Sequence, residues 1–321
     1  MKTSSKQKML IIILALFAAV ALGLLNGSVG LGLKELFLRD NRQILNLRIA
    51  RIILAIVAGG GLAVAGTALQ AILRNSLAEP YLLGTSSGAG LGAILALIMN
   101  IYGPYLPVAA FTGALVSIAL VYAIARQNNR IPVQSLILSG VIVSIALSGI
   151  MVFLISLSGN EVLHSATWWL WGSLEVSDTG LLAIVTAAVA LCVIIIYALS
   201  QDLNAISIGE EEAVHLGIKI EAVKALVFIL TSLMTACLVC ICGMIGFVGL
   251  IIPHTVRLIV GPNHKVLIPA SCLGGAAFMV ICDTIARTSF RPTEIPIGVI
   301  TSIVGAPIFI ILLKRNQKVR Q

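Results

Sequence analysis

Charge is scarce in this sequence. Asp, Glu, Lys and Arg make up 11% of its 321 residues, against roughly 25% in a soluble domain. The shortage excludes an ordinary water-soluble fold. Aromatic residues are also few, at 5%, and no basic stripe alternates with them, so the net charge of +8 does not mark a nucleic-acid surface. No stretch matches GxxxxGK[ST], so the chain lacks the usual cradle for ATP phosphates. The four histidines are scattered, and no cluster combines nucleophile, base and metal ligands. That argues against an enzyme, a metal site or a bound cofactor. Three of the six cysteines, Cys237, Cys240 and Cys242, sit in the apolar run ACLVCICG with no His or second thiol pair nearby. They read as small buried hydrophobes, and nothing points to disulfides.

What the sequence has in abundance is apolar surface: 59% hydrophobic residues and a mean hydropathy of +1.08. Its solvent is a bilayer, and the 29 glycines suit helices that approach one another closely there. Apolar windows of spanning length, about 17–25 residues, predict ten helices at roughly 9–27, 46–73, 82–101, 105–127, 132–158, 179–199, 222–241, 243–260, 265–287 and 294–313. The fold class is therefore all-α and polytopic, with residues 1–321 as one transmembrane domain. The first 25 residues imitate a signal peptide, but the apolar run from Met9 to Leu25 is long enough to span and reads as a retained first helix. Gly243, Gly246 and Gly249 predict a bent or broken helix between the seventh and eighth windows.

Placing the amino terminus inside puts Lys2, Lys6, Lys8, Arg74, Arg126, Arg130, Lys219, Lys224, Arg257, Lys265, Lys314, Arg315, Lys318 and Arg320 on the cytoplasmic side. Lys34, Arg39, Arg42, Arg48, Arg51, Arg287 and Arg291 then face outward. The two-to-one bias predicts both termini in the cytoplasm. It also leaves an outer side more basic than the rule favours. LAEPYLLGTSSG, after the second window, echoes LIIPHTVRLIVG, after the seventh, with Pro80 and Pro253 in matching places. Five spans separate them, which reads as an inverted repeat of the kind transporters use. Trp168, Trp169 and Trp171 read as anchors at the outer interface, with stacking on a flat ligand as the alternative. Acids are nearly absent from the windows. Asp283 is the exception, and Arg287 follows it by one helical turn, which predicts a local ion pair.

Three stretches carry a family likeness: RIARIILAIVAGGGLAVAGTALQAILRNSLAEPYLLGTSSGAGLG from Arg48, GFVGLIIPHTVRLIVG from Gly246, and CDTIARTSFRPTEIPIGVITSIVGAPIFIILLKR from Cys282. The chain resembles the FecCD family of importer permeases for iron-siderophores, haem and vitamin B12, over nearly its whole length and in order. It departs from the family pattern at Ala50, Ser76 and Met244, where the family usually has proline; the change softens local kinks. The resemblance implies the transmembrane subunit of an ATP-driven importer in the inner membrane of a prokaryote. Its implied partners are a second copy of itself, with the import path between the copies, cytoplasmic ATP-binding subunits and an extracytoplasmic substrate-binding protein. The alternative is an ion-coupled secondary transporter acting without an ATPase subunit.

The resemblance also suggests sites. The connection that begins RNSLAEP lies at the cytoplasmic mouth of the family's path, where Asn75, Ser76 and Leu77 would form a gate. In SIGEEEAVHLGI, Glu210, Glu211 and Glu212 suit the first turn of a short helix that Gly209 precedes and Gly217 ends, with Ala213 and Leu216 on one face. This cytoplasmic segment, about 201–220, resembles the coupling helix that docks on an ATPase. Arg48 and Arg51, three residues apart, and Arg287 fall where the family receives its binding protein. Reversing the first two as exposed charges is expected to weaken docking and leave stability nearly unchanged.

Overall fold

An unbroken run of small and apolar residues, Ile52 to Leu69, lies within one helix of 31 residues from Arg42 to Ile72, and the rest of the described chain is arranged around it. The computed structural model describes residues 5–28, 41–126 and 131–319. Among the cations placed above by side, Lys2, Lys34, Arg39, Arg130 and Arg320 lie outside these residues. The described residues form α1 (Ser5–Leu25), α2 (Arg42–Ile72), α3 (Thr85–Ile98), α4 (Tyr105–Ala125), α5 (Val133–Ser156), α6 (Asn160–Trp171) and α7 (Thr179–Ala198). There follow α8 (Ser200–Ile208), α9 (Glu210–His215), α10 (Ile220–Cys242), α11 (Val248–Val260), α12 (His264–Thr288) and α13 (Ile297–Val319). No strand forms among them.

Seven of these helices, α1, α2, α4, α5, α7, α10 and α12, are long and apolar enough to cross a membrane. The other three predicted windows fold as shorter apolar stretches: α3, α11 and the part Ile297–Leu312 of α13. With 14 and 13 residues, α3 and α11 extend only about 20 Å at 1.5 Å per residue, less than a hydrocarbon core of roughly 30 Å. Each is preceded by non-helical chain: a 3-10 turn at Pro80–Leu83 before α3, and residues 243–247 before α11. The break foreseen from the three glycines is present.

Burial separates central helices from peripheral ones. The most apolar stretch of α2 is 83% buried within the chain, against 28% for α5 and α7 and 11% for α1. Around α2 pack α10, α11 and α12, while α1 lies along α12, and α3 and α4 pair and rest on α5. Small residues make the central contact possible. A Cβ on Gly59 would fall onto the carbonyl oxygen of Gly275, and one on Gly66 onto that of Gly249, so α2 meets α12 and α11 backbone to backbone. Cys237, Cys240 and Cys242 are buried on α10, as expected of small hydrophobes.

Candidate functional site

Near the N-terminal end of α2, two arginines one turn apart meet the C-terminal end of α12. Arg51 Nε donates to Asp283 Oδ1 at 2.8 Å and its Nη1 to Glu294 Oε2 at 2.7 Å. Arg287 Nε donates to Asp283 Oδ2 at 2.8 Å. One fully buried carboxylate thus holds two guanidiniums, which includes the predicted pair along α12. The remaining donors close the end of α1, whose last carbonyls have no helical partner. Arg48 Nη1 reaches Leu24 O at 2.8 Å, and Arg287 reaches Asn26 O at 3.1 Å and Gly23 O at 3.2 Å.

This geometry corrects the picture of three outward-facing charges. Arg48 is 5% and Arg287 2% exposed, because both serve as caps for α1; only Arg51 keeps part of its surface. The expectation that reversing Arg48 and Arg51 leaves stability unchanged therefore fails, since both guanidiniums hold the fold. Beside them opens a cavity of about 260 Å³, with Ser28, Leu47, Arg51, Glu175 and Glu294 on its walls. A neighbouring cavity of about 690 Å³ is walled by Tyr102, Trp168, Trp169 and Glu175. Trp168 and Trp171 meet edge to face, 5.9 Å apart, with substantial exposed surface.

Deeper in the bundle, the break between α10 and α11 leaves backbone groups that a helix would have satisfied. The other connection supplies the partners. Tyr81 Oη accepts the N–H of Ile245 at 3.1 Å, and Glu79 Oε1 that of Phe247 at 3.0 Å, a residue with φ of 72°. Pro80 packs against Gly249, and Gln70 Nε2 spans to Leu250 O at 3.3 Å. The first echoed stretch is thus tied to the break that leads into the second. Beside this joint, Asn75 Oδ1 accepts the N–H of Leu77 at 2.9 Å and Asn75 O that of Ala78 at 3.1 Å, making a tight turn. Ser76 and Leu77 project from it, exposed.

Replacing Glu79 with Leu leaves the Phe247 N–H buried without its acceptor, a loss of about 1–3 kcal/mol. The melting midpoint in detergent is expected to fall clearly for Glu79→Leu and much less for Glu79→Gln, which keeps an acceptor oxygen. Equal midpoints for the two variants would contradict this role.

The segment SIGEEEAVHLGI folds as α9 with Glu210, Glu211 and Glu212 in its first turn. It closes at Gly217, where φ is 79°, with Gly217 N–H donating to Val214 O at 2.9 Å and Ile218 N–H to Ala213 O at 3.1 Å. This pair of bonds is the left-handed termination that favours glycine. Gly209 has φ of −177°, extended backbone that any residue adopts. The shared face of Ala213 and Leu216 is not found. Ala213 is fully buried against the chain, whereas Leu216 is 71% exposed, together with Val214 and Ile208. The outward apolar surface is thus Ile208, Val214 and Leu216. Beside α9 lies an open groove of about 740 Å³, with Pro132, Gln134, Glu210 and Lys219 on its walls.

Sequence reading missed Glu79, Tyr81 and Glu294. Each lies in a connection where no periodicity exists to show its direction; the two glutamates offered only a carboxylate inside a connecting motif, and Tyr81 offered no signal. Asn204, also missed, accepts both the backbone N–H and the Nδ1–H of His264 at 2.8 Å, tying α8 to α12. No group of three or more His, Cys, Asp or Glu arranged to hold a metal ion exists among the described residues.

The model of the FecCD transport family matches residues 11–315. The cobalamin import system permease protein BtuC of Halobacterium salinarum is 41% identical over 275 residues, covering 85% of this chain and 73% of the relative. The hemin transport system permease protein HmuU of Yersinia pestis is 32% identical, with 97% of each chain covered. Among solved structures, one described as a metal-chelate type ABC transporter in an inward-facing conformation superposes with a TM-score of 0.86. It is 34% identical and covers 97% of this chain and 99% of that one.

Proposed function

The chain belongs to the FecCD transport family, and from that premise we propose that it is the multi-pass membrane subunit of an ATP-driven importer for a metal chelate. The cargo class is an iron-siderophore, haem or cobalamin, delivered by a soluble binding protein on the outer side. The observation that carries this reading is the end-to-end structural match to a metal-chelate ABC transporter, at a TM-score of 0.86. The chain acts as one permease domain, in the inner membrane of a prokaryote with both termini cytoplasmic, and pairs with a second copy. It translocates cargo and leaves ATP hydrolysis to a separate subunit.

Three surfaces divide the work. On the cytoplasmic side, α9 rests in a groove of the ATP-binding subunit, offering Val214 and Leu216 with Glu210 and Glu211 at its start. The turn at Asn75, Ser76 and Leu77 closes the inner mouth. On the outer side the binding protein meets the rim around Arg51, while Arg48 and Arg287 hold the end of α1 beneath it. The ion-coupled alternative needs a membrane carboxylate free to exchange its proton, and Asp283 is instead pinned between Arg51 and Arg287.

Purification of the tagged chain from its native membranes tests this reading. It is expected to bring an ATP-binding subunit in equal amount, and the cognate binding protein is expected to carry a metal chelate identifiable by mass spectrometry. A chain that transports while no ATP-binding subunit accompanies it would overturn the proposal.

Gly217→Val is expected to weaken association with the ATP-binding subunit at least tenfold. No atom lies within 4 Å of the added Cβ, so the strain comes from the backbone alone. A left-handed conformation costs an ordinary residue about 1–2 kcal/mol, and a β-branched one tolerates it less. The turn then shifts and carries Leu216 with it. Pull-down and stimulated hydrolysis measure the effect; full association in the variant would remove α9 from the interface.

A further inference from the structure

A coupling helix transmits motion only if it is fastened to the helices it must move, and α9 is six residues long. Its fastening runs through a lysine that the sequence placed merely among cytoplasmic charges. Lys224, in the second turn of α10, is 6% exposed. Its Nζ meets Glu210 Oε1 at 2.5 Å, on the first turn of α9, and Glu221 Oε1 at 3.7 Å, one turn back on α10. Glu221 then turns its other oxygen to accept the N–H of Ile131 at 2.9 Å, two residues before α5. One ammonium thus joins three elements: the coupling helix, the long α10 and the start of α5.

We propose that Lys224 is the positioning residue through which displacement of α9 is passed to α10 and α5, a role that rests on the importer reading above. Burying an ammonium is costly, and an apolar side chain of similar length would pack there at no such cost. The two carboxylates beside it are each 41% exposed, so they remain hydrated while fixing the ammonium from two sides. That arrangement secures direction rather than stability. It also has somewhere to lead. α10 ends at the break whose Ile245 and Phe247 N–H groups are held by Tyr81 and Glu79, beside the turn at the proposed inner mouth. A pull on Glu210 therefore has a continuous path of bonded groups along α10 to that turn.

The test uses the full complex with its ATP-binding subunits and loaded binding protein in proteoliposomes, reading both uptake and ATP hydrolysed. Lys224→Met is expected to keep ATPase association within about twofold while uptake per ATP falls at least tenfold. Lys224→Arg is expected to restore most of that ratio. Lys224→Glu combined with Glu210→Lys is expected to recover more than Lys224→Glu alone. Unchanged uptake per ATP in Lys224→Met overturns the proposal, as does, in a variant that folds, a loss of uptake that merely follows loss of assembled complex. A wild-type complex that shows no ATP-dependent uptake condemns the importer reading instead, before any variant is compared. If Lys224→Met does not fold, spin labels at His215→Cys and Gln134→Cys, both exposed, report on the unaltered lysine. Their separation is expected to stay constant through the ATP cycle, and independent movement of α9 and α5 overturns the relay.

Discussion

Asp283→Ala is expected to leave little folded protein in the membrane. The carboxylate is fully buried and neutralises Arg51 and Arg287, each at 2.8 Å. Removing one partner of a buried ion pair typically costs about 3–5 kcal/mol, because the surviving charge stays buried without compensation. Here two charges lose their partner, although Arg51 retains Glu294 at 2.7 Å. Marginal folds hold only about 5–15 kcal/mol in total. The loss spreads along the chain as well. Arg287 is aimed by Asp283, and it caps Asn26 and Gly23, so α1 is expected to come loose from α12. Yield of monodisperse protein in detergent and its melting midpoint measure the effect. Asp283→Asn, which keeps the shape and an acceptor oxygen, should fall between wild type and alanine. An alanine variant that melts like wild type would show that the cluster does not hold the fold.

Gly66→Val is expected to be comparably severe for a different reason. At this crossing the obstacle is the Gly249 backbone of α11, and no side chain can rotate away to make room. Overpacking costs about 1–3 kcal/mol where side chains can yield, and more is expected where helices must separate. Gly249 is itself pressed against Pro80, so moving α11 also disturbs the joint that Glu79 and Tyr81 hold together. Gly149→Ala on α5 is the control. Nothing lies within 4 Å of the added carbon, and helix propensity favours alanine by about 1 kcal/mol. Folded yield should drop sharply for the first variant and hold for the second. Equal yields would remove close backbone contact as the basis of the central packing.

Much of the fold was legible because a bilayer makes hydropathy a strong signal. Every predicted window coincides with an apolar helix, and the glycines at 243, 246 and 249 announced the break. The end of α9 was legible as well, since only glycine sits easily in the left-handed turn at Gly217. What stayed hidden is which neighbour a residue meets. A spacing of three puts Arg48 and Arg51 on one face of α2, yet nothing in the spacing says that α1 ends there with carbonyls to be capped. Ala213 and Leu216 have the spacing of a shared face, but a helix of under two turns takes its orientation from α8 and the chain beneath it, so Ala213 turns inward. Lys224 reads as one more cytoplasmic charge until Glu210 and Glu221 close around it. Glu79 reads as part of a polar turn until α11 arrives from 168 residues away.

The most direct measurement of the central claim is uptake into proteoliposomes. They would contain this chain with its ATP-binding subunits, supplied with a binding protein carrying its metal chelate. The account predicts accumulation that requires both ATP and the ATP-binding subunits, and that persists when proton and sodium gradients are collapsed. Accumulation driven by an ion gradient with the chain alone would contradict it.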